Sequence, residues 1–365
     1  MNLYILAGED SGDLHGSNLV KALLGKRPDI HFYGVGGDKM SDAGVALSAH
    51  VRDINFMGFW EIVRNLRTIR KLFKTVKSDI ERIKPDGVIL IDYPGFNLRL
   101  AKYLHQRGIP VYYYISPQVW AWKKGRVKQI RQFVDRMMVI LPFEESFYAN
   151  EGVEVDFVGH PLLDVIPKTN PADRDQRILA LLPGSRKQEI SRMLPVMLSV
   201  QDRFPEYQFV IAGAPSQQES FYQQFIGDRN VELWMNKTYE LLQHADAAMV
   251  TSGTATLETA LFHVPEVVCY KGSRLSYEIG RRLVNIKFIS LVNLILDKEV
   301  VKELIQYDFN TETLGEAVTE ILDPIKRSEI IADYDLLWDT LGNEGASARA
   351  AQVILDQMSQ KAVVA

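Results

Sequence analysis

A chain of 365 residues with 47% hydrophobic, 24% charged and 10% aromatic residues has room for two ordinary domains, each with its own core. The net charge of −4 excludes a uniformly basic nucleic-acid binder, and the one cysteine, Cys269, excludes an internal disulfide and any multi-cysteine metal site. A reducing cytosol fits that cysteine usage, and neither a signal peptide nor a transmembrane span is expected from "MNLYILAGED" or from any other apolar run.

In chain order, strands are predicted at 2–7, 30–35, 86–92, 110–116, 136–142 and 155–159, separated by segments of helical period such as "DLHGSNLVKALLGK" and "FNLRLAKYLHQ". Residues 164–177, "DVIPKTNPADRDQR", break the pattern with two prolines and six charges and read as a linker. The alternation then resumes with strands at 178–184, 207–213, 231–235, 247–253 and 265–272, and only helical patterns are expected after about residue 298. Strand–helix repeats of this kind specify parallel sheets covered on both faces. The expected fold is α/β: two doubly wound, Rossmann-like domains, 1–165 and 172–335, facing a cleft. A helical C-terminal tail, about 338–365, is expected to pack back on the first domain.

Ligands of open parallel sheets bind beyond the carboxyl ends of the strands, so the residues just after each strand carry the argument. "AGEDSGDLHGS" after the first strand has glycines at 8, 12 and 16, with Ser11 or Asp13 placed to cap a helix. Its spacing is neither a dinucleotide fingerprint nor a P-loop. "VILIDYPGFN" ends a strand on Asp92, which local chemistry allows as a helix cap, a turn residue or a catalytic base. In the second half, Gly184, Ser185 and Arg186 stand where a strand becomes a helix, a ready anion site with a guanidinium fork. Ser252, Gly253 and Thr254 stand at another such junction, with Glu258 one turn in. Together the two loops suggest a nucleotide-diphosphate site, although capping alone explains each singly. Asp-x-Asp pairs occur at Asp173/Asp175 and Asp333/Asp335, neither after a strand, and no histidine spacing suggests zinc, so no metal is expected.

Residues 56–84 are basic and amphipathic, with eight Lys/Arg against three Asp/Glu from Glu61 to Lys84. Arg64, Arg67, Arg70, Lys71, Lys74 and Lys77 recur opposite Ile62, Leu66, Ile69, Phe73 and Val76, after the apolar entry Phe56, Met57, Phe59 and Trp60. A second cluster comprises Lys123, Lys124, Arg126, Lys128 and Arg131. A solvated helix face explains each cluster, and their sum favours an anionic membrane surface over RNA.

The stretches "AGEDSGD", "GVGGDKM", "MGFWEI", "DYPGFN", "YYISPQVWAW", "LPFEESFY", "VGHPLLD", "LPGSRKQEI" and "SGTATLE", in order over roughly residues 5 to 300, resemble the lipid A disaccharide synthases, glycosyltransferases of lipopolysaccharide assembly. "ISLVNLI" is similar to a further family motif, with Val292 at a proline position. The resemblance implies a GT-B-like fold, no cofactor and no metal. It also implies an inverting transfer from UDP-2,3-diacylglucosamine to the 6-hydroxyl of 2,3-diacylglucosamine 1-phosphate, giving a β-1,6 disaccharide and UDP. By the same resemblance Asp92 is the base, an ordinary ionised aspartate, and Arg186 neutralises the leaving UDP. Gly184, Ser185, Ser252, Gly253, Thr254, Glu258 and Asn293 bind the donor, and Ser11, Gly12 and Asn97 form the acceptor-side loop. Some family members carry Asp where Gly95 stands, which leaves Asp92 as that loop's one carboxylate. The first domain would then take the acceptor and face the membrane, through Phe56, Met57, Phe59, Trp60, Arg64, Arg67, Arg70 and Lys71, and the second would bind the UDP-sugar. The expected location is the cytoplasmic face of the inner membrane, as a peripheral protein without nucleic acid. A homodimer is compatible with the sequence. The competing readings are another UDP-sugar enzyme of the same fold, an epimerase or a transferase with a soluble acceptor, and a non-catalytic sugar-nucleotide binder.

Overall fold

The computed structural model describes residues 1–53, 66–122, 125–168, 177–272, 277 and 287–364. The chain forms two compact units, one of Met1–Asp164 together with Leu341–Ala365, the other of Val165–Thr340.

The first unit holds a seven-stranded sheet built from β1 (Asn2–Ala7), β2 (His31–Gly36), β3 (Val45–His50), β4 (Gly87–Ile91), β5 (Val111–Tyr114), β6 (Arg136–Val139) and β7 (Asp156–Phe157). Its order is β3-β2-β1-β4-β5-β6-β7 and every pairing is parallel, with Ala7 beside Ile91 at the ends of the two central strands. Alternation along the strands sends Leu3, Ile5 and Ile89 to one face and Tyr4, Leu6, Val88 and Leu90 to the other. The first face is covered by helix α1 (Asp10–Lys26), followed in the chain by the short α2 (Asp38–Asp42). The second is covered by α3 (Leu66–Ile83), α4 (Pro94–His105) and α5 (Gly125–Phe133).

The second unit repeats the plan with β8 (Ile178–Leu182), β9 (Gln208–Gly213), β10 (Val231–Met235), β11 (Ala247–Thr251), β12 (Glu266–Tyr270) and β13 (Lys302–Ile305). The order is β10-β9-β8-β11-β12-β13, again all parallel. Three of its helices bear on the site: α6 (Lys187–Leu198), α7 (Thr254–Leu261) and α8 (Leu291–Leu296). In both sheets the order reverses direction at the two central strands, β1/β4 and β8/β11, which opens a crevice for ligand at their carboxyl ends.

The last helix, α9 (Ala346–Val364), returns to the first unit and packs on α1, burying Ala350, Ala351 and Ile354 beside Leu19, Val20 and Leu23. Asp164 caps its start, accepting the N–H groups of Gly345, Ala346 and Ser347 at 2.6, 3.1 and 3.1 Å.

Two edge strands differ from expectation. β13 lies where only helix was expected after residue 298, because its four residues open on Lys302 and Glu303 and show no apolar run. β3 also escaped the pattern, four of the six residues of VALSAH being polar or small. Of the basic segment, α3 covers 66–83, while Phe56, Met57, Phe59, Trp60 and Arg64 lie outside the described residues.

Candidate active site

The switch point of the first unit is formed by the loops after β1 and β4. β4 is followed by Asp92 and Tyr93, whose φ values of +41° and +46° put two successive non-glycine residues in the left-handed region. Each such residue costs roughly 1–3 kcal/mol and persists only where its surroundings hold it. Here they do. The Asp92 carbonyl accepts hydrogen bonds from the Tyr113 hydroxyl at 2.5 Å and from Asn97 Nδ2 at 2.7 Å, and the Asp92 N–H donates to the Tyr114 carbonyl at 3.2 Å. Tyr93 caps α4 by its backbone, its ring stacks on Phe96 at 5.9 Å, and the same ring covers Gly8, where a Cβ would fall 2.4 Å from it. Gly8 of "AGEDSGD" is therefore required by the neighbouring loop.

The Asp92 side chain is not the helix cap, a place the Tyr93 backbone takes. Burial pushes its carboxyl up to about 7, and the Glu9 charge adds to the rise, while the Tyr93 N–H and Arg126 draw it partly back. The expectation of an ordinary, fully ionised aspartate is thereby corrected: this group changes charge near neutrality. Asn97 is corrected too. It is wholly buried, and its Nδ2 donates to both the Ile91 and Asp92 carbonyls, so it braces the strand end, while its Oδ1 has no hydrogen-bond partner among the described residues. Ser11 is exposed in the first turn of α1, while Gly12 is buried, with the place of its Cβ 3.2 Å from Ala7. Neither Ser11 nor Asp13 caps α1, which starts after Glu9. Asp13 instead accepts N–H groups of Gly37, Lys39 and Met40 at 2.6, 3.1 and 3.0 Å, capping α2 from outside it.

The second unit places its two loops at its own switch point. After β8, Gly184 takes φ +98°, a conformation open to glycine, and a Cβ there would meet Glu189 Oε2 at 2.7 Å. Arg186 precedes α6 with its side chain 55% exposed, and its Nη1 donates to Glu189 Oε1 at 2.9 Å. The Ser185 carbonyl is held by Ser216 Oγ and Gln217 Nε2, both at 2.9 Å. After β11, Gly253 is the N-cap of α7 and Thr254 is exposed, while Ser252 Oγ donates to the Ile289 carbonyl at 3.2 Å. Glu258 is half-buried and accepts the Tyr239 hydroxyl at 2.8 Å; burial raises its pKa and that hydrogen bond lowers it.

Asn293 does not reach this surface. It is wholly buried in α8, where Oδ1 accepts the Val300 and Val301 N–H groups and Nδ2 donates to the Val301 carbonyl and to Glu303. Glu303 also accepts the N–H groups of Ile289 and Ser290, both at 2.9 Å. Asn293 thus fixes the segment whose Ile289 carbonyl receives Ser252, a supporting role in place of the expected contact. Sequence reading passed over Glu9, Glu189 and Glu303. The first two could have been found as carboxylates beside the glycine loops, but Glu303 sits on the unrecognised β13. Of the Asp-x-Asp pairs, Asp333 binds Lys298 and Asp335 binds His263, and 173–175 lie outside the described residues. Among the described residues no cluster of His, Cys, Asp or Glu could hold a metal ion.

Two all-parallel sheets of this order, each with a glycine loop at its switch point, make an α/β fold of two Rossmann-like units, and solved structures agree on a GT-B fold. The UDP-GlcNAc 2-epimerase of Neisseria meningitidis bound to UDP-GlcNAc superposes with TM-score 0.66 at 13% identity, covering 99% of this chain and 100% of that one. The kitacinnamycin glycotransferase superposes with TM-score 0.66 at 14% identity over 98% of each chain. Residues 3–356 match the family described as lipid-A-disaccharide synthetase. The lipid-A-disaccharide synthase of Syntrophus aciditrophicus (strain SB) is 46% identical over 96% of both chains. That of Geobacter metallireducens is 40% identical over 98% of this chain and 97% of its own. The chain belongs to the lipid-A-disaccharide synthase family and is a glycosyltransferase.

Proposed function

We propose that the protein joins two acylated glucosamine units, UDP-2,3-diacylglucosamine as donor and 2,3-diacylglucosamine 1-phosphate as acceptor, into a β-1,6 disaccharide with release of UDP. The observation that carries this reading is Asp92: a carboxyl locked at a switch point by a braced, left-handed strand end and poised near pH 7. A base whose pKa lies near the working pH combines a useful ionised fraction with real proton affinity, and it contributes on the order of 10²–10⁴ in rate. Asp92 takes the proton of the acceptor 6-hydroxyl as that oxygen attacks the anomeric carbon from the face opposite UDP, which inverts the α linkage to β. Arg186 and the α6 and α7 N-termini take up the charge that develops on the departing diphosphate. In that role Arg186 exchanges Glu189 for phosphate oxygens, and Ser252, Gly253 and Thr254 hold the diphosphate while the free oxygen of Glu258 meets the ribose.

The fold is common to epimerases and transferases, and membership of the synthase family favours transfer. Both proposed substrates are acylated, so their tails stay in or near a bilayer. Among the described residues no helix is long and apolar enough to cross a membrane. We assign peripheral attachment at the cytoplasmic face of the inner membrane to the exposed Arg67, Arg70, Lys71 and Lys74 of α3. Lys77 is not part of that face, since its ammonium lies over the Phe73 and Tyr103 rings at 4.9 and 4.2 Å. The test is purified protein with both diacylated substrates, followed for UDP and disaccharide. UDP release that does not require the acceptor, or none at all, would refute the reading.

A further inference from the structure

The switch-point edge of the first unit is acidic. Glu9 and Asp10 follow β1, Asp92 follows β4, and the Glu9 charge already makes ionisation of Asp92 harder. A phosphorylated sugar brought to Asp92 meets repulsion there unless a cation faces it. Arg126 is placed to be that cation. It stands in the first turn of α5, whose Val127, Ile130 and Phe133 are buried in the same cluster as Phe96 and Leu100 of α4. Helix α5 reaches β6 through Val134 and Asp135 alone. Its C-terminus therefore lies where the parallel strands begin and its N-terminus where they end, on the edge that carries Asp92.

Arg126 is half-buried, and its positive charge is felt at both Asp92 and the Tyr113 hydroxyl. Yet among the described residues it makes no hydrogen bond or ion pair, whereas Arg136 is held by Asp156 and Arg186 by Glu189. A guanidinium brought partly out of water without a protein acceptor is suited to a ligand anion, and its planar fork matches a phosphate.

We propose that Arg126 recognises the phosphate on the anomeric carbon of the acceptor sugar while Asp92 receives the 6-hydroxyl of the same ring. In a pyranose these two groups flank the ring oxygen, separated by about the width of the ring. That spacing suits a cation near the base but not bonded to it. The inference rests on the reading under Proposed function and adds to it the residue that selects a phosphorylated acceptor.

The test compares kcat/KM for diacylglucosamine 1-phosphate with that for diacylglucosamine lacking the phosphate, at pH 8.5, where Asp92 is ionised in every variant. Arg126→Ala should reduce the preference for the phosphorylated acceptor by roughly 10- to 100-fold, the worth of a charged hydrogen bond. Arg126→Lys, a point charge without the fork, should fall between Arg126→Ala and the native enzyme. Inhibition by UDP should not move, which separates the acceptor phosphate from the donor diphosphate as the anion bound. An unchanged preference overturns the inference, as does an equal slowing on both acceptors or weakened UDP inhibition with the preference intact. Thermal melts of both variants identify a folding defect, and if Arg126→Ala is misfolded the Arg126→Lys preference decides. A native enzyme that makes no disaccharide from either acceptor refutes the functional reading itself, whereas an active one with an indifferent Arg126 refutes only this inference.

Discussion

The two junctions expected to do chemistry are built on opposite principles. At the β4–α4 junction the charged atom is a partly desolvated carboxyl whose backbone is strained, with Asn97 and Tyr113 gripping its carbonyl. At the β8–α6 junction the charged group is a guanidinium 55% exposed, beside a glycine turn and paired with Glu189. The difference follows from the tasks. A base must have a tuned proton affinity, and tuning requires burial and fixed neighbours. A diphosphate arrives fully charged and hydrated, and a mobile fork beside helix N-termini meets it without tuning.

The largest expected effect breaks the first junction's chemistry and keeps its shape. Asp92→Asn should cut turnover on the order of 10²–10⁴ while UDP binding persists, as read by titration calorimetry. The same variant reports the cost of desolvation. The folded-state pKa lies above the ordinary value, 3.8 against about 7, so the folded protein holds an extra proton in that window. Native stability from this group is therefore greatest in acid and lost as pH rises toward and through 7. The melting-temperature gain of Asp92→Asn over the native chain should accordingly be larger at pH 8 than at pH 5.

Next in size, Asn293→Ala should lower stability by about 3–5 kcal/mol in urea unfolding, since it strips partners from buried backbone groups of Val300 and Val301. A small loss would mean that the second unit's rigidity resides elsewhere. Arg186→Ala should weaken UDP binding by roughly 10- to 100-fold and slow turnover, since its guanidinium fork is the group expected to meet the diphosphate.

A further contrast is expected in pH dependence. kcat/KM should fall about tenfold per pH unit below 7 as Asp92 takes up its proton, while UDP affinity stays flat there. Glu144, buried among Leu141, Ser116 and Trp120, is likewise pushed up to about 7, so Glu144→Gln serves as the control and should retain the acidic limb. The smallest effect belongs to α3, where charge is solvated and untuned. Each of Arg67, Arg70 and Lys71 changed to Ala should weaken binding to anionic vesicles by about fivefold, or 1 kcal/mol. An effect confined to neutral vesicles would remove the electrostatic account.

The fold was legible because buried parallel strands announce themselves as short apolar runs: "NLYILA" coincides with β1, and "YQFVIAG" lies within one residue of β9. Others ran long in the reading, such as 247–253 against Ala247–Thr251, since the residues that leave the strand, Ser252 and Gly253, are small and still fit its pattern. Two edge strands, β3 and β13, were lost for the opposite reason, because neither carries a continuous apolar run. Within the site, residue type and position were readable but burial was not. Asn97 and Asn293 look like polar ligand contacts in the sequence, yet both are wholly buried and each donates its Nδ2 to backbone carbonyls inside the core. The same blindness hid the raised pKa of Asp92, which comes from what surrounds the residue and not from its neighbours in the chain.

The return of α9 to the first unit has a consequence for synthesis. A ribosome delivers Asp92 and its sheet early, but the apolar side of α1 stays uncovered until Ala346–Val364 emerges, after the whole of the second unit. The nascent first unit thus waits, incomplete, while the second can close its own sheet. The order in which the parts are made is the reverse of the order in which they are finished.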